Sequence, residues 1–199
     1  EIFTNKKENE LRFWVSACST GEEAYSLAMY CRETMERLGI NKDIKIFATD
    51  VDETAIQRAS QGLYAESIIA DMPPEFVRKY FFHKEERFQI SRSIREMVVF
   101  AKHNVLKDPP FTNIDFVSCR NLLIYFQPVL QKRAIEMFNF ALNPNGILFL
   151  GNSETTGDLS HLFETINVRE RIYRSLGKRH NSLSNIQMGK FSNQNSFRN

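Results

Sequence analysis

The stretch Ser16-Ala17-Cys18-Ser19-Thr20-Gly21-Glu22-Glu23 constrains this chain more than any other. It follows directly on the apolar run Leu11–Val15 and opens a long amphipathic pattern. An apolar strand, then small residues, then a helix N-terminus is the order of the first unit of a nucleotide-binding α/β domain. Small residues let a ligand approach the backbone closely, and Gly21 can take a positive φ that a residue with a Cβ resists. The acidic pair Glu22-Glu23 sets this loop apart, because two carboxylates beside a helix N-terminus would repel a pyrophosphate. They suit a ligand that brings positive charge and hydroxyl or ammonium donors. S-adenosylmethionine, with a sulfonium, an ammonium group and no phosphate, has that chemistry. The alternative is that Glu22 and Glu23 only complement the helix dipole.

Downstream, strands and helices alternate. Ala24, Leu27, Ala28, Cys31, Met35 and Leu38 follow helical spacing from Glu22 to Leu38, and Gly39 suits the C′ position. Residues 45–50 read as a strand ending in Asp50, and Glu53–Ser60 as a helix stopped near Gly62. Met97–Ala101, Ile114–Ser118 and Ile147–Leu150 are further apolar strands. Pro128 marks the start of a helix with Leu130, Ala134, Phe138, Ala141 and Leu142 on one face. Asn143-Pro144-Asn145-Gly146 is a turn by composition, and Phe163–Tyr173 is expected to supply a closing antiparallel strand. Such alternation implies a mostly parallel sheet covered on both faces.

Length and charge narrow the function classes. The 199 residues suit one domain, with 42% hydrophobic and 25% charged residues and a net charge of +2. That charge gives no reason to expect nucleic acid. There is no apolar run near 18 residues and no signal-peptide pattern, so neither membrane insertion nor export is expected. Cys18, Cys31 and Cys119 are widely spaced and form no metal-ligand pattern, so a reducing cytoplasm and a metal-free monomer are expected. Residues 75–107 hold eight Lys/Arg against four acids. With Phe88-Gln89-Ile90 and Met97-Val98-Val99 they read as a small antiparallel insert at about 80–100, either a solvated hairpin or a docking surface for an acidic partner. Residues 1–10 read as a polar lead-in, 11–178 as the domain and 179–199 as a flexible tail or linker.

Asp50, at the end of the second strand, is placed to accept hydrogen bonds from ribose hydroxyls, although an Asp there also caps helices. Asn104 offers donor and acceptor to an adenine edge, or else forms a turn after the third strand. His103 reads as a surface residue. Tyr125 could line a methyl-transfer site, where a ring near a sulfonium gains cation–π attraction, or sit in the core.

Four motifs then carry a family resemblance. Ser19-Thr20-Gly21-Glu22-Glu23-Ala24-Tyr25-Ser26, Phe47-Ala48-Thr49-Asp50-Val51-Asp52, Cys119-Arg120-Asn121-Leu122-Leu123-Ile124-Tyr125-Phe126 and Gly151-Asn152-Ser153-Glu154 resemble, in order, the signatures of the chemotaxis receptor methyltransferases (the CheR family). The resemblance covers roughly residues 11–175. It implies an α/β fold, a doubly wound Rossmann-like methyltransferase sheet with the small antiparallel insert. It also implies transfer of methyl from S-adenosylmethionine to glutamate side chains on the cytoplasmic domain of chemoreceptors, or on another acidic signalling protein. Carried over residue by residue, Gly21, Glu23 and Asp50 would hold the amino-acid or ribose part of the cofactor, and Asn104 and Val105 the adenine. Cys119 and Arg120 would lie along the ligand, and Tyr125 near the reacting methyl with Arg120 as the second catalytic residue.

The chain departs from the family pattern in three places. Ala17 stands where many members carry Gly. No segment in residues 1–10 matches the family's helical N-terminal domain, so the chain is read as a fragment without it. The stretch His83-Lys84-Glu85-Glu86-Arg87-Phe88 lacks the Gly of the loop that docks a receptor tail peptide in some members, so such recruitment is not expected. A glutamate substrate, with a reference pKa near ~4.3, is already ionised at neutral pH and needs no general base. The competing readings are a non-catalytic S-adenosylmethionine-binding module of a larger signalling protein and a nicotinamide-dependent oxidoreductase. The latter is disfavoured by the acidic loop and the absence of Gly-x-Gly-x-x-Gly.

Overall fold

The computed structural model describes residues 2–5, 9–70 and 72–177. The elements run as a single helical turn α1 (Ile2–Asn5), β1 (Glu10–Ser16), α2 (Glu22–Leu38), β2 (Asp43–Asp50), α3 (Glu53–Gln61) and β3 (Leu63–Ala65). They continue with α4 (Pro74–Tyr80), β4 (Phe81–Lys84), β5 (Arg87–Ile90), α5 (Arg92–Arg95), β6 (Val98–Lys102) and β7 (Ile114–Cys119). The chain then forms α6 (Pro128–Ala141), β8 (Leu142–Leu150), β9 (Phe163–Asn167) and β10 (Ile172–Ser175).

The main sheet has seven strands in the order β6-β2-β1-β7-β8-β10-β9. Its first five are parallel, and β10 runs antiparallel to both β8 and β9. From β1 the chain winds outward through β2 and β6, then returns to the other side of β1 as β7. The carboxyl ends of β1 and β7 therefore flank the switch point where ligands bind in open α/β sheets.

Helix α2 buries Ala24, Ala28, Cys31 and Met35 on one face and stops at Gly39, whose φ of 63° lies in the left-handed region. That face packs with β1, β2 and the insert in one core cluster. A second cluster gathers Trp14, Val117, Leu148 and the α6 residues Ala134, Ile135 and Phe138 on the opposite side. Each fully buried large side chain stabilises the fold by roughly 1.5–3 kcal/mol.

Several sequence expectations are corrected. The insert's strands are β3, β5 and β4, spanning Leu63 to Ile90. Met97-Val98-Val99 leads instead into β6, which pairs in parallel with β2 in the main sheet. Phe163–Tyr173 is a hairpin, β9 and β10, and not one strand. Asn143-Pro144-Asn145-Gly146 does not end a strand but bulges within β8. Leu142 pairs with Ile114 and Ile147 with Phe116, so the extra residues loop out, with Asn145 at φ 65°. The lead-in is not wholly polar in role, since Ile2 and Phe3 pack on the core and the Phe3 ring lies 6.4 Å from that of Phe13. The expected tail at 179–199 lies outside the described residues. Among the described residues no helix is long and apolar enough to cross a membrane.

Candidate functional site

The first loop is held in shape by contacts the sequence does not announce. Ala17 and Ser19 both sit at positive φ, 59° and 48°. Ser19 N–H donates to Asp50 Oδ2 at 2.9 Å, and Cys18 N–H to the Thr49 carbonyl at 2.9 Å. Tyr64, from the insert strand β3, donates its hydroxyl to the Thr20 carbonyl at 2.8 Å, so the insert braces the loop directly. Gly21 has φ 93°, and a Cβ there would fall 2.9 Å from Ala59 Cβ and 3.0 Å from the Phe100 ring. Glycine at this position therefore serves the turn and its packing on α3 and β6, with the side-chain direction filled by protein.

Asp50 spends both carboxylate oxygens on backbone, since its Oδ1 also accepts from Asp52 N–H at 3.0 Å. The helix cap is Asp52, which accepts from Thr54 and Ala55. Asp50 thus clamps the ends of β1 and β2 together.

Glu23 occupies the first turn of α2 at the switch point. Ser118 Oγ, near the end of β7, donates a hydrogen bond to Glu23 Oε1. Burial pushes the Glu23 carboxyl above the ordinary range, while the Ser118 hydrogen bond and the Arg120 charge pull it back. Arg120 lies with its guanidinium 5.1 Å from the centre of the Phe149 ring, and its buried Nε has no hydrogen-bond partner. A half-buried cation and a half-buried carboxyl thus interact at the carboxyl end of the sheet.

The other expected residues are distributed around this pair. His103 N–H donates to the Asp50 carbonyl at 3.0 Å, which sets Asn104 beside Asp50. Asn104 forms a turn, accepting Leu106 N–H on Oδ1 at 3.0 Å, and Val105 is buried in the second core cluster. His103 is not a plain surface residue, because its ring packs against Trp14 and Phe111. Cys119 is 0% exposed, and burial raises its thiol well above the ordinary value, so only its backbone can reach a ligand. Burial also pushes the Cys18 thiol up to about 12. Tyr125 is 79% exposed and so not in the core. It ends a tight 3-10 turn, Leu123–Tyr125, pinned by Gln131 Nε2 donating to the Leu123 and Phe126 carbonyls at 3.0 and 2.9 Å. No side-chain hydrogen bond, ion pair or ring contact among the described residues joins Tyr125 to Glu23 or Arg120.

Sequence reasoning did not single out Ser118, Tyr64 or Glu154 as site residues. Glu154 is 4% exposed and accepts from the Gly151, Asn121 and Leu123 backbone at 2.7, 3.1 and 2.7 Å. An acid just beyond an apolar strand was the available signal.

Residues 1–172 match the family model of the CheR methyltransferase, SAM binding domain. The chain belongs to the CheR family. A chemotaxis protein methyltransferase of Borreliella burgdorferi is 34% identical over 158 residues, covering 78% of this chain and 56% of that protein. The chemotaxis protein methyltransferase of Escherichia coli is 31% identical over 182 residues, covering 87% of this chain and 61% of the relative. An uncharacterized 104.1 kDa protein of Rhodobacter capsulatus is 45% identical over 166 residues, covering 83% of this chain and 17% of its own length. The chain thus spans little more than half of the chemotaxis methyltransferases it matches. The match is to the family's S-adenosylmethionine-binding domain, and S-adenosylmethionine is the cofactor.

The site's chemistry fits that cofactor. Glu22, Glu23 and Asp50 line the loop where a phosphate-binding site would need bare N–H groups, and one of the loop's own N–H donors is already taken by Asp50. The charge of such a CheR loop favours a cationic ligand over a polyphosphate.

Proposed function

We propose that this chain is the cofactor-binding and catalytic part of a protein-glutamate O-methyltransferase that acts on the cytoplasmic domains of chemoreceptors. The observation that supports this best is the Glu23 carboxyl, half-buried at the switch point, bonded by Ser118 and within the field of the Arg120 cation. When bound, S-adenosylmethionine supplies an activated methyl group that a carboxylate oxygen can accept. Glu23 accepts the cofactor's ammonium or hydroxyl donors, and Arg120 supplies positive charge for its carboxylate end. Asp50 keeps the loop closed behind the ribose by holding Ser19 N–H. Asn104 and Val105 offer a polar edge and an apolar wall for the adenine. Tyr125, exposed at the rim, is placed to meet the incoming substrate. A glutamate nucleophile brings its own negative charge, so the protein's task is orientation, for which proximity supplies roughly 7–11 kcal/mol.

The insert supplies the contact with an acidic partner in this reading. Of its neighbourhood's cations, Lys79 pairs with Glu33 and Glu36, Arg92 with Glu96 and Lys102 with Glu53. Lys84 and Arg87 flank the exposed β4–β5 turn, which itself carries Glu85 and Glu86.

The test is transfer of radiolabelled methyl from S-adenosylmethionine to a purified chemoreceptor cytoplasmic domain. A glutamyl methyl ester releases its label as volatile methanol in base, whereas an N-methyl group does not. Base-stable label overturns the carboxylate assignment. A second reading, a non-catalytic S-adenosylmethionine-binding module, draws on the 104.1 kDa relative, of which the matched region is only 17%. Cofactor binding with no transfer to any acidic partner would favour it.

A further inference from the structure

We propose that Glu154 is a positioning residue of the candidate site, whose carboxylate sets the course of the backbone that carries Arg120 and leads to Tyr125. This rests on the function proposed above, in which those two residues serve the reaction. Two loops leave the sheet side by side here, one after β7 and one after β8, paired up to Cys119 and Leu150. Glu154 belongs to the second loop, yet two of its three backbone donors, Asn121 and Leu123, belong to the first. The third is Gly151 N–H on its own loop, at 2.7 Å.

Asn121 stands at φ 58°, a left-handed conformation that asparagine tolerates better than other residues with a Cβ, and so turns the β7 exit loop locally. That turn does not tie the loop to its neighbour. Asn121 and Leu123 both point their N–H groups across to the second loop, and that of Leu123, in buried surroundings, needs an acceptor. Glu154, at 4% exposure, is that acceptor. Close fit surrounds it: a Cβ on Gly151 would lie 2.6 Å from Glu154 Oε2 and 3.0 Å from Asn121 N. Arg120 directly precedes this held segment and the 3-10 turn bearing Tyr125 ends it. Gly151 is therefore glycine because the carboxylate occupies its side-chain space, and Glu154 is long enough to reach across to the other loop.

A carboxylate can accept all three N–H groups. A glutamine amide has one acceptor oxygen, and its NH2 would face at least one backbone N–H. The experiment compares the whole chain with Glu154→Gln and Glu154→Ala. Backbone hydrogen exchange and calorimetric binding of S-adenosylhomocysteine are the readouts. For Glu154→Gln, exchange at Asn121 and Leu123 is expected to rise by about tenfold or more, with α2 and β1 still protected. The affinity for S-adenosylhomocysteine is expected to fall by a similar factor. Added formate should restore affinity to Glu154→Ala, while chloride at equal ionic strength should not, a response that a generally loosened fold would not give. Should Glu154→Ala fail to fold, Glu154→Asp, one methylene too short to reach all three donors, replaces it in the exchange measurement. Unchanged exchange at Asn121 and Leu123, or unchanged affinity in Glu154→Gln, overturns the role given to Glu154. Wild type that binds no S-adenosylhomocysteine overturns the proposed function instead, because the exchange measurement needs no ligand.

Discussion

Ser118 Oγ donates a hydrogen bond to Glu23 Oε1, joining the end of β7 to the first turn of α2 across the switch point. Burial disfavours the charged form of that carboxyl. A group kept at such a cost to folding is the expected signature of a binding residue.

Glu23→Gln should therefore separate stability from binding. Because the folded chain holds the Glu23 proton more tightly than the unfolded chain, stability from this group is full below the ordinary carboxylate range and lost as pH rises through the raised folded value. Above that window the Gln variant should melt at an equal or higher temperature than wild type. Its S-adenosylhomocysteine affinity should fall about tenfold or more, the loss of a hydrogen bond to charge. In wild type, affinity should weaken on acidification at a higher pH than an ordinary carboxylate would give. Calorimetry from about pH 4 to about pH 8, upward from the reference carboxylate value near ~4.3, decides this.

Gly21→Ala should destabilise the chain by about 1–3 kcal/mol, through overpacking against Ala59 and Phe100 and strain at φ 93°. Urea unfolding measures it. A loss confined to ligand affinity would mean that the glycine's open space serves the ligand after all.

The converse holds at Ala17, whose φ of 59° suits glycine better than alanine. Relief of about 1–2 kcal/mol of strain, less the ~0.5–1 kcal/mol of extra chain entropy glycine brings, leaves Ala17→Gly neutral to stabilised by about 1.5 kcal/mol. A destabilised variant in the same unfolding assay would contradict this.

Tyr125→Ala should leave the unfolding midpoint within about 0.5 kcal/mol of wild type, since its side chain is exposed. In the radiolabel assay, methyl transfer should drop while S-adenosylhomocysteine affinity holds. Equal transfer by both chains would remove Tyr125 from the reaction.

The α2 boundaries were legible because Glu22, Gly39 and the buried Ala24–Met35 stripe all signal one helix. Asp50 was legible as a charge at a strand end and Glu23 as one at a helix start, but their partners were not. Ser19 N–H, Ser118 Oγ and the three donors to Glu154 become neighbours only once the sheet forms. The insert was misplaced because Met97-Val98-Val99 looks the same whether it joins an antiparallel hairpin or a parallel central sheet. Its true first strand, Leu63–Ala65, is three residues long and too short to show alternation. The Asn143–Gly146 bulge misled for a related reason, since composition marks a turn but cannot say whether pairing resumes in the same strand.

Trp14 is the single tryptophan of the sequence, entirely buried, with its indole N–H donating to Thr49 Oγ1 at 2.9 Å. Its ring meets His103 and Phe111, which bracket the segment bearing Asn104 and Val105, and on its other side Phe138 of α6. The molecule therefore carries its own optical reporter, wired to the segment proposed to hold the adenine and to the α6 core at once. Its emission should shift to the red when the chain unfolds, and respond in a different way when a nucleoside settles beside Asn104. Fluorescence excited at the indole band can thus follow unfolding and ligand binding in one cuvette, with no label added.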